Sequence, residues 1–167
     1  MQTIETERCI LRPLTIDDAE ALNAVNRIPQ VMRYIGPVED NIEKTRWYLQ
    51  KGPLADYEKF GYGRHACIDK STGKLIGFCG MKYVRSLQDA DIGYRLHPDY
   101  WGKGIATEIS MAAMDYGKSA LGLTRILGLA MPDNLGSINI FPKLGMHYEK
   151  NVMIQGDECV QYAWEAK

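Results

Sequence analysis

The sequence predicts an α/β fold of the α+β type, a mixed sheet of about six to seven strands with helices on both faces. Three observations lead there. Strand-like runs in the middle of the chain follow one another as a meander and then give way to a β-α-β arrangement. Two helix-like stretches precede that meander. Between Asp91 and Thr107 the chain reads Asp-Ile-Gly-Tyr-Arg-Leu-His-Pro-Asp-Tyr-Trp-Gly-Lys-Gly-Ile-Ala-Thr, a strand, a sharp turn and a glycine-flanked helix start in one run. The expected order is β-α-α-β-β-β-α-β-α-β-β within one domain over residues 1–167.

Arg8 to Leu14 reads as the first strand, closed by Pro13. Thr15 is a suitable N-cap and Asp17 and Asp18 suit the positive end of a helix, so a helix is expected from about Ile16 to Arg27. Asp40 to Glu43 offers a second start of the capping-box type, with Ile42, Thr45, Arg46 and Leu49 on one face. That helix is expected to weaken at Gly52-Pro53 and leave a loose stretch to Phe60. Tyr62–Asp69 and Lys74–Met81 are strand-like and joined by a Lys70-Ser71-Thr72-Gly73 turn. A third strand runs from about Asp89 to Leu96, stopped by Pro98. A helix follows from Gly104 to about Ala120, with Ile105, Ile109, Ala112 and Tyr116 as its buried stripe and Gly122 at C′. Thr124–Met131 is a strand and Asn134–Lys143 a short helix containing Pro142. Met146–Ile154 and Glu158–Trp164 close the fold as a pair around Gln155-Gly156-Asp157.

Composition excludes several functions. Twenty basic against 21 acidic side chains leave a formal charge of −1, without the basic excess of a nucleic-acid footprint. Cys9, Cys67, Cys79 and Cys159 are scattered with no Cys-x-x-Cys pair, so reduced buried thiols are expected and neither a disulfide framework nor a metal site. Met1 to Glu7 lacks a signal-peptide pattern and no apolar run approaches membrane-spanning length; a cytoplasmic protein is expected.

The glycine loop carries the chemistry. Gly102 and Gly104 remove side chains where backbone N–H groups and the positive helix end would meet a phosphate. A Walker loop is excluded, because Lys103 is followed by Gly104 rather than Ser or Thr. A Rossmann fingerprint would need an early β-α-β unit that the chain lacks. On spacing alone a tight turn and a phosphate cradle remain equal alternatives.

At these residues the sequence resembles the GNAT superfamily of acyl-CoA-dependent N-acetyltransferases, and within it the ribosomal-protein N-terminal acetyltransferases. The matching pieces are Thr6-Glu7-Arg8-Cys9-Ile10-Leu11-Arg12-Pro13-Leu14 with Asp17-Asp18-Ala19, Leu75-Ile76-Gly77-Phe78-Cys79-Gly80, Ile92-Gly93-Tyr94, Tyr100-Trp101-Gly102-Lys103-Gly104-Ile105-Ala106-Thr107-Glu108, and Asn134-x-x-Ser137 leading to Lys143-Leu144-Gly145-Met146. They fall in the family's order over nearly the whole chain. The loop departs from the family's pattern at Asp99, where Gln or Arg is usual, and Met146 stands for the usual Phe.

The resemblance implies the GNAT fold, acetyl-CoA as cosubstrate, and transfer of acetyl to a primary amine by direct attack without a covalent acetyl-enzyme. It implies that coenzyme A pyrophosphate rests on the amides of Trp101, Gly102, Lys103, Gly104, Ile105 and Ala106, with Thr107 adding a hydroxyl. It also implies that the strand ending at Leu96 splays from its neighbour, so that a backbone N–H near Leu96 faces the thioester oxyanion. Asn134 is suited to hold the pantetheine arm or to cap its helix, and Ser137 to protonate the departing thiolate, with Tyr148 as the rival donor. No general base is assigned: Asp91, Glu149, Glu158 and His65 are candidates. The acceptor site is expected from Arg27–Pro37 and Asp40–Tyr57, which carry Tyr34, Trp47, Tyr48 and Tyr57; simple packing is favoured for Trp47. The implied acceptor is a protein N-terminus, with a polyamine, an amino-group antibiotic or a peptide-like toxin as alternatives. A non-catalytic acyl-CoA sensor is the rival from another class. Nucleic acid and membrane are not expected as partners, and the chain is expected to act as a monomer or a homodimer.

Overall fold

The computed structural model describes residues 1–38 and 40–167. In β2 (Cys9–Pro13) Cys9 and Leu11 alternate into the core. A two-residue β1 (Ile4–Glu5), too short to show alternation in the sequence, pairs with it through Ile4 and Leu11. After β2 the Asp18 carboxylate accepts from the Thr15 N–H at 2.8 Å and holds Arg12 at 2.7 Å. The helix expected from Ile16 therefore opens as a 3-10 turn, Ile16–Asp18, before α1 (Ala19–Asn26) buries Leu22 and Val25. A short α2 (Pro29–Met32) follows, with proline in its first turn.

The cap of α3 (Ile42–Leu49) is Asn41, whose side chain accepts from the Glu43 N–H at 2.9 Å; the start expected at Asp40 is displaced by one residue. The stretch expected to be loose up to Phe60 is helical instead. It continues as a π turn over Gln50–Leu54 and as α4 (Ala55–Phe60), closed by Gly61 at φ 75°. Pro53 supplies no N–H to a helical ladder, and the widened π turn is where such a residue fits.

The sheet is formed by β1, β2, β3 (Arg64–Asp69), β4 (Leu75–Val84), β5 (Asp89–Leu96), β6 (Arg125–Ala130), β7 (His147–Ile154) and β8 (Asp157–Glu165). The eight strands run in the order β1-β2-β3-β4-β5-β6-β8-β7, the added strand beyond the expected six to seven being β1. The pairs are antiparallel except β5–β6, which is parallel and joins only Ala90–Ile92 to Ile126–Gly128. Beyond Ile92 the two strands part. The parallel crossover between them is α5 (Ile105–Ser119).

One face of the sheet packs on α5, through Ile105, Ile109, Ala113 and Met114 against Met81, Ile92, Leu96 and Ile126. The buried stripe expected at Ala112 and Tyr116 is rotated: both are half-buried, while Ala113, Met114 and Gly117 are fully buried. Tyr116 sits on the helix flank, its ring edge-on to His65. Gly122 turns the chain at φ 65°, two residues after the Ala120 C-cap. On the opposite face Leu14, Ala19, Leu22 and Leu49 pack on Ala66 and Phe78. Removing each of these large side chains from water contributes about 1.5–3 kcal/mol. The helix expected over Asn134–Lys143 is split into α6 (Leu135–Ile138) and a 3-10 turn, Phe141–Leu144, because Pro142 fits the first turn of a new element. No helix among the described residues is long and apolar enough to cross a membrane.

Candidate active site

Three pieces meet where β5 and β6 diverge: the end of β5, the N-terminus of α5, and the turn that opens α6. Their placement follows from local chemistry. Pro98–Tyr100 forms a 3-10 turn after β5, and Gly102 and Gly104, at φ 69° and 77°, bring the chain into α5. The Gly104 conformation is left-handed, which side-chain-bearing residues resist. From Gly102 to Thr107 no amide donates to another described residue, so the loop presents a row of open N–H groups at the positive end of a 15-residue helix. The Trp101 amide does not join the row: it donates to Pro98 O at 2.9 Å. That corrects the expectation at its first residue.

Two ties that the sequence does not announce hold this loop. Arg8 donates through Nη1 to the Lys103 carbonyl at 2.8 Å and through Nε to Glu108 at 2.6 Å, and its own amide donates to Glu108 at 2.8 Å. Glu108 stands in the first turn of α5, where its charge suits the dipole. Partial burial opposes its ionisation, yet bonds from Thr6 and Arg8 outweigh that and lower its pKa. On the other side, Tyr100 donates its hydroxyl to Asp69 at 3.0 Å, anchoring the turn to the β3–β4 hairpin. Asp69 also accepts from the Ser71 amide and the Thr72 hydroxyl, and these bonds bring its pKa down to about 2.

At the end of β5 the His97 N–H donates to Ile76 O on β4 at 2.8 Å. Strand alternation then turns the Leu96 amide the other way, toward the gap facing β6. The Trp101 indole folds back over this end, its Nε1 donating to Leu96 O at 2.9 Å. Asn134 caps α6, its side chain accepting from the Ser137 N–H at 3.3 Å. Ser137 Oγ lies 3.4 Å from the Tyr94 hydroxyl. Tyr94, two residues before Leu96, is therefore a partner that motif reading missed. Burial raises its pKa, which keeps the phenol protonated, with the Ser137 contact opposing.

The structure does not bring Tyr148 to Ser137's hydroxyl. Tyr148 is 54% exposed on β7 and donates to Asn151 at 2.9 Å. The candidate bases are all engaged. Asp91 accepts both of its bonds from Arg64 at 3.2 Å, and Glu149 is held by Arg125 at 2.6 Å. Glu158 accepts from Asn151, and the buried His65 ring meets the Gln2 carbonyl at 3.0 Å. Among the expected acceptor-site aromatics, Trp47 is 64% exposed, contrary to the packing expected of it. Tyr48 is the residue turned inward, stacked on Phe78 with centroids 6.4 Å apart. Tyr57 accepts the Leu14 N–H at 3.0 Å, and the Tyr34 hydroxyl reaches Asp133 O at 3.0 Å, joining the segment after α2 to the loop before α6.

Known proteins resemble this chain in sequence and in fold. Residues 8–147 match the family model described as an acetyltransferase (GNAT) domain. An uncharacterised N-acetyltransferase, YoaA, of Bacillus subtilis is 35% identical over 87% of this chain and 83% of its own length. Spermidine N(1)-acetyltransferase of Escherichia coli is 26% identical over 86% of this chain and 75% of its own. Among solved structures, a GNAT-family acetyltransferase from Bacillus anthracis aligns with a TM-score of 0.82 and 25% identity, covering 98% of each chain. The ribosomal L7/L12 alpha-N-protein acetyltransferase RimL, in complex with coenzyme A, aligns at 0.83 over 99% of this chain and 98% of its own; at 17% identity it shares the fold.

Proposed function

The chain belongs to the GNAT family of acetyltransferases, an N-acetyltransferase by its relatives, and we propose that it moves acetyl from acetyl-CoA to the α-amino group of a protein N-terminus. The observation that carries the cosubstrate assignment is the row of open amides from Gly102 to Thr107 beside the end of β5, which is paired with β4 but has parted from β6. These amides are suited to the pyrophosphate, with the Thr107 hydroxyl beside them, and the residues present fit the group. The pantetheine arm takes the gap between β5 and β6, where the Asn134 side-chain nitrogen, bonded to no described residue, is suited to it. The Leu96 N–H faces the thioester oxygen and holds the charge that develops there. The acceptor nitrogen attacks the acetyl carbon, a C–N bond forms and the C–S bond breaks. Ser137, oriented by Tyr94, gives its proton to the departing thiolate, Tyr94 re-protonates it, and water returns a proton to Tyr94, which balances the proton that the amine releases. The amine surrenders its proton to water, since each candidate carboxylate already has a partner; an α-amino group, with a reference pKa of about 8, is partly neutral beforehand.

The α-amino acceptor is supported by the motif set and by the fold shared with a protein N-terminal acetyltransferase. A polyamine is the second reading, favoured by the relative named for spermidine. The test incubates the protein with acetyl-CoA and a panel of N-terminal peptides, polyamines and aminoglycosides, following thiol release and acetylated mass. Peptide products support the proposal and polyamine products the second reading. Tight acetyl-CoA binding without any product counts against both acceptors and points to a sensor or to an acceptor outside the panel.

A further inference from the structure

The face of β5 turned away from α5 carries a cation with no acid among the described residues beside it. Arg95 lies between Tyr94 and Leu96 on the strand, and its guanidinium carbon sits 4.9 Å from the Phe78 ring centroid. Phe78 is covered in turn by Tyr48. Arg95 Nη1 donates to the Asn26 side chain on α1, while Nε is sealed from solvent without a partner among the described residues. Nη2 is neither sealed nor bonded to a described residue. No carboxylate among the described residues meets this guanidinium. Its neighbour Arg64 is different, being held by both oxygens of Asp91.

A largely covered guanidinium without a counter-ion is costly for a fold to retain. This one is held rigid by a ring face and one amide, with an open edge left over. That is the arrangement of a planar fork waiting for a carboxylate. Its place matters equally. It stands on β5 one residue from Leu96, on the sheet face roofed by α1 and α3, whereas the phosphate loop belongs to the α5 side.

We infer that Arg95 is a specificity-determining residue which pairs with a carboxylate carried by the acceptor, so that the substrate is an anionic amine rather than a polycation. This rests on the acetyltransferase reading above and narrows its acceptor. A second and third ammonium group on a polyamine would meet Arg95 as a like charge. A carboxylate near the amine, from a free amino acid or from an acidic side chain next to a peptide N-terminus, would meet it as a partner.

The test is steady-state transfer from acetyl-CoA to matched pairs: free amino acids against their carboxamides, and peptides with Asp or Glu near the N-terminus against the same peptides with Asn or Gln. In the wild-type protein the acid of a pair is expected to exceed its amide by about 10- to 100-fold in kcat/KM, the range of one charge-assisted bond. The arm that shows the ratio names the source of the carboxylate. Arg95→Gln is expected to bring the ratio to about one while acetyl-CoA affinity by calorimetry stays unchanged. Arg95→Lys keeps the charge and loses the fork, and is expected to retain part of the ratio. Transfer with equal use of acid and amide by the wild-type protein, a comparison that needs no variant to fold, overturns the inference and leaves the acetyltransferase reading standing. So does a ratio that survives Arg95→Gln. Absence of transfer to every amine overturns the function itself, and this inference with it.

Discussion

Replacing Gly104 by glutamate and, separately, by alanine tests the phosphate site through a difference that neither variant gives alone. A Cβ at this position meets nothing within 4 Å except Arg8 Nη2, at 3.6 Å. Both variants therefore fold with little steric conflict and share one backbone cost, about 1–2 kcal/mol for a left-handed residue with a side chain. For a chain of this length that lowers Tm by about 2–8 °C. The carboxylate adds what alanine lacks. At about 5 Å from a phosphate charge, with an effective dielectric of about 40–80, it repels by about 0.8–1.7 kcal/mol per pair of charges. Against one or two phosphate charges this weakens coenzyme A by about 4- to 300-fold relative to Gly104→Ala. The new carboxylate also competes with Glu108 for Arg8, which pulls on the tie to the Lys103 carbonyl and adds to the loss. Calorimetric titration with coenzyme A and with pantetheine, which lacks the pyrophosphate, reads the effect. Equal coenzyme A affinity in the two variants refutes the placement of pyrophosphate on this loop. A penalty of the same size for pantetheine refutes it equally.

Ser137→Ala is expected to lower kcat about 10²- to 10⁴-fold with KM for acetyl-CoA little changed, and Tyr94→Phe to lower it less while shifting the alkaline limb of the pH–rate profile; profiles of identical shape would remove Tyr94 from the proton path. Gly128→Ala places a Cβ 2.6 Å from the Phe141 ring, and overpacking of about 1–3 kcal/mol is expected, seen as a lower midpoint in urea. An unchanged midpoint would mean that the ring yields freely. Asp69 titrates at about 2 in the folded protein against an ordinary value of 3.8. Its depressed pKa makes its contribution fully present above about pH 4 and lost as the pH falls toward 2. Asp69→Asn is therefore expected to flatten that part of the Tm-against-pH curve, and a curve parallel to the wild type would refute the assignment.

Periodicity was enough for β5, whose bounds Asp89 and Leu96 agree with the expectation because alternation and a stopping proline coincide there. It was misleading at Pro53, where a breaker residue was absorbed by a π turn; nothing local distinguishes a proline that ends a helix from one that widens it. The α5 stripe was rotated because Ala112 and Ala113 are equally acceptable to an apolar face, and only the sheet it packs against chooses between them. The turn from Gly102 into α5 was legible because its backbone conformation is written in two glycines. Arg8 and Tyr94 were not. Each lies inside a recognised motif, but Arg8 acts on Glu108, 100 positions away in the chain, and Tyr94 on Ser137, 43 positions away. Arg95 was hidden for the opposite reason, since its interest lies in a partner it lacks.

The parallel joint between β5 and β6, Ala90–Ile92 against Ile126–Gly128, pairs fewer residues than any other joint from β2 onward. Mechanically the molecule is two leaves, β1 to β5 and β6 to β8, hinged on that joint and bound along one spine by α5. A chain-like guest laid in the cleft acts as a rivet between the leaves, and the tighter it binds the more heat the hinge withstands. At a hundred times its dissociation constant a guest adds about 2.7 kcal/mol to the folded state. Exchange of the β5 amides that face the cleft beyond Ile92 would then slow with occupancy, while exchange in β3 and β4 would keep its pace.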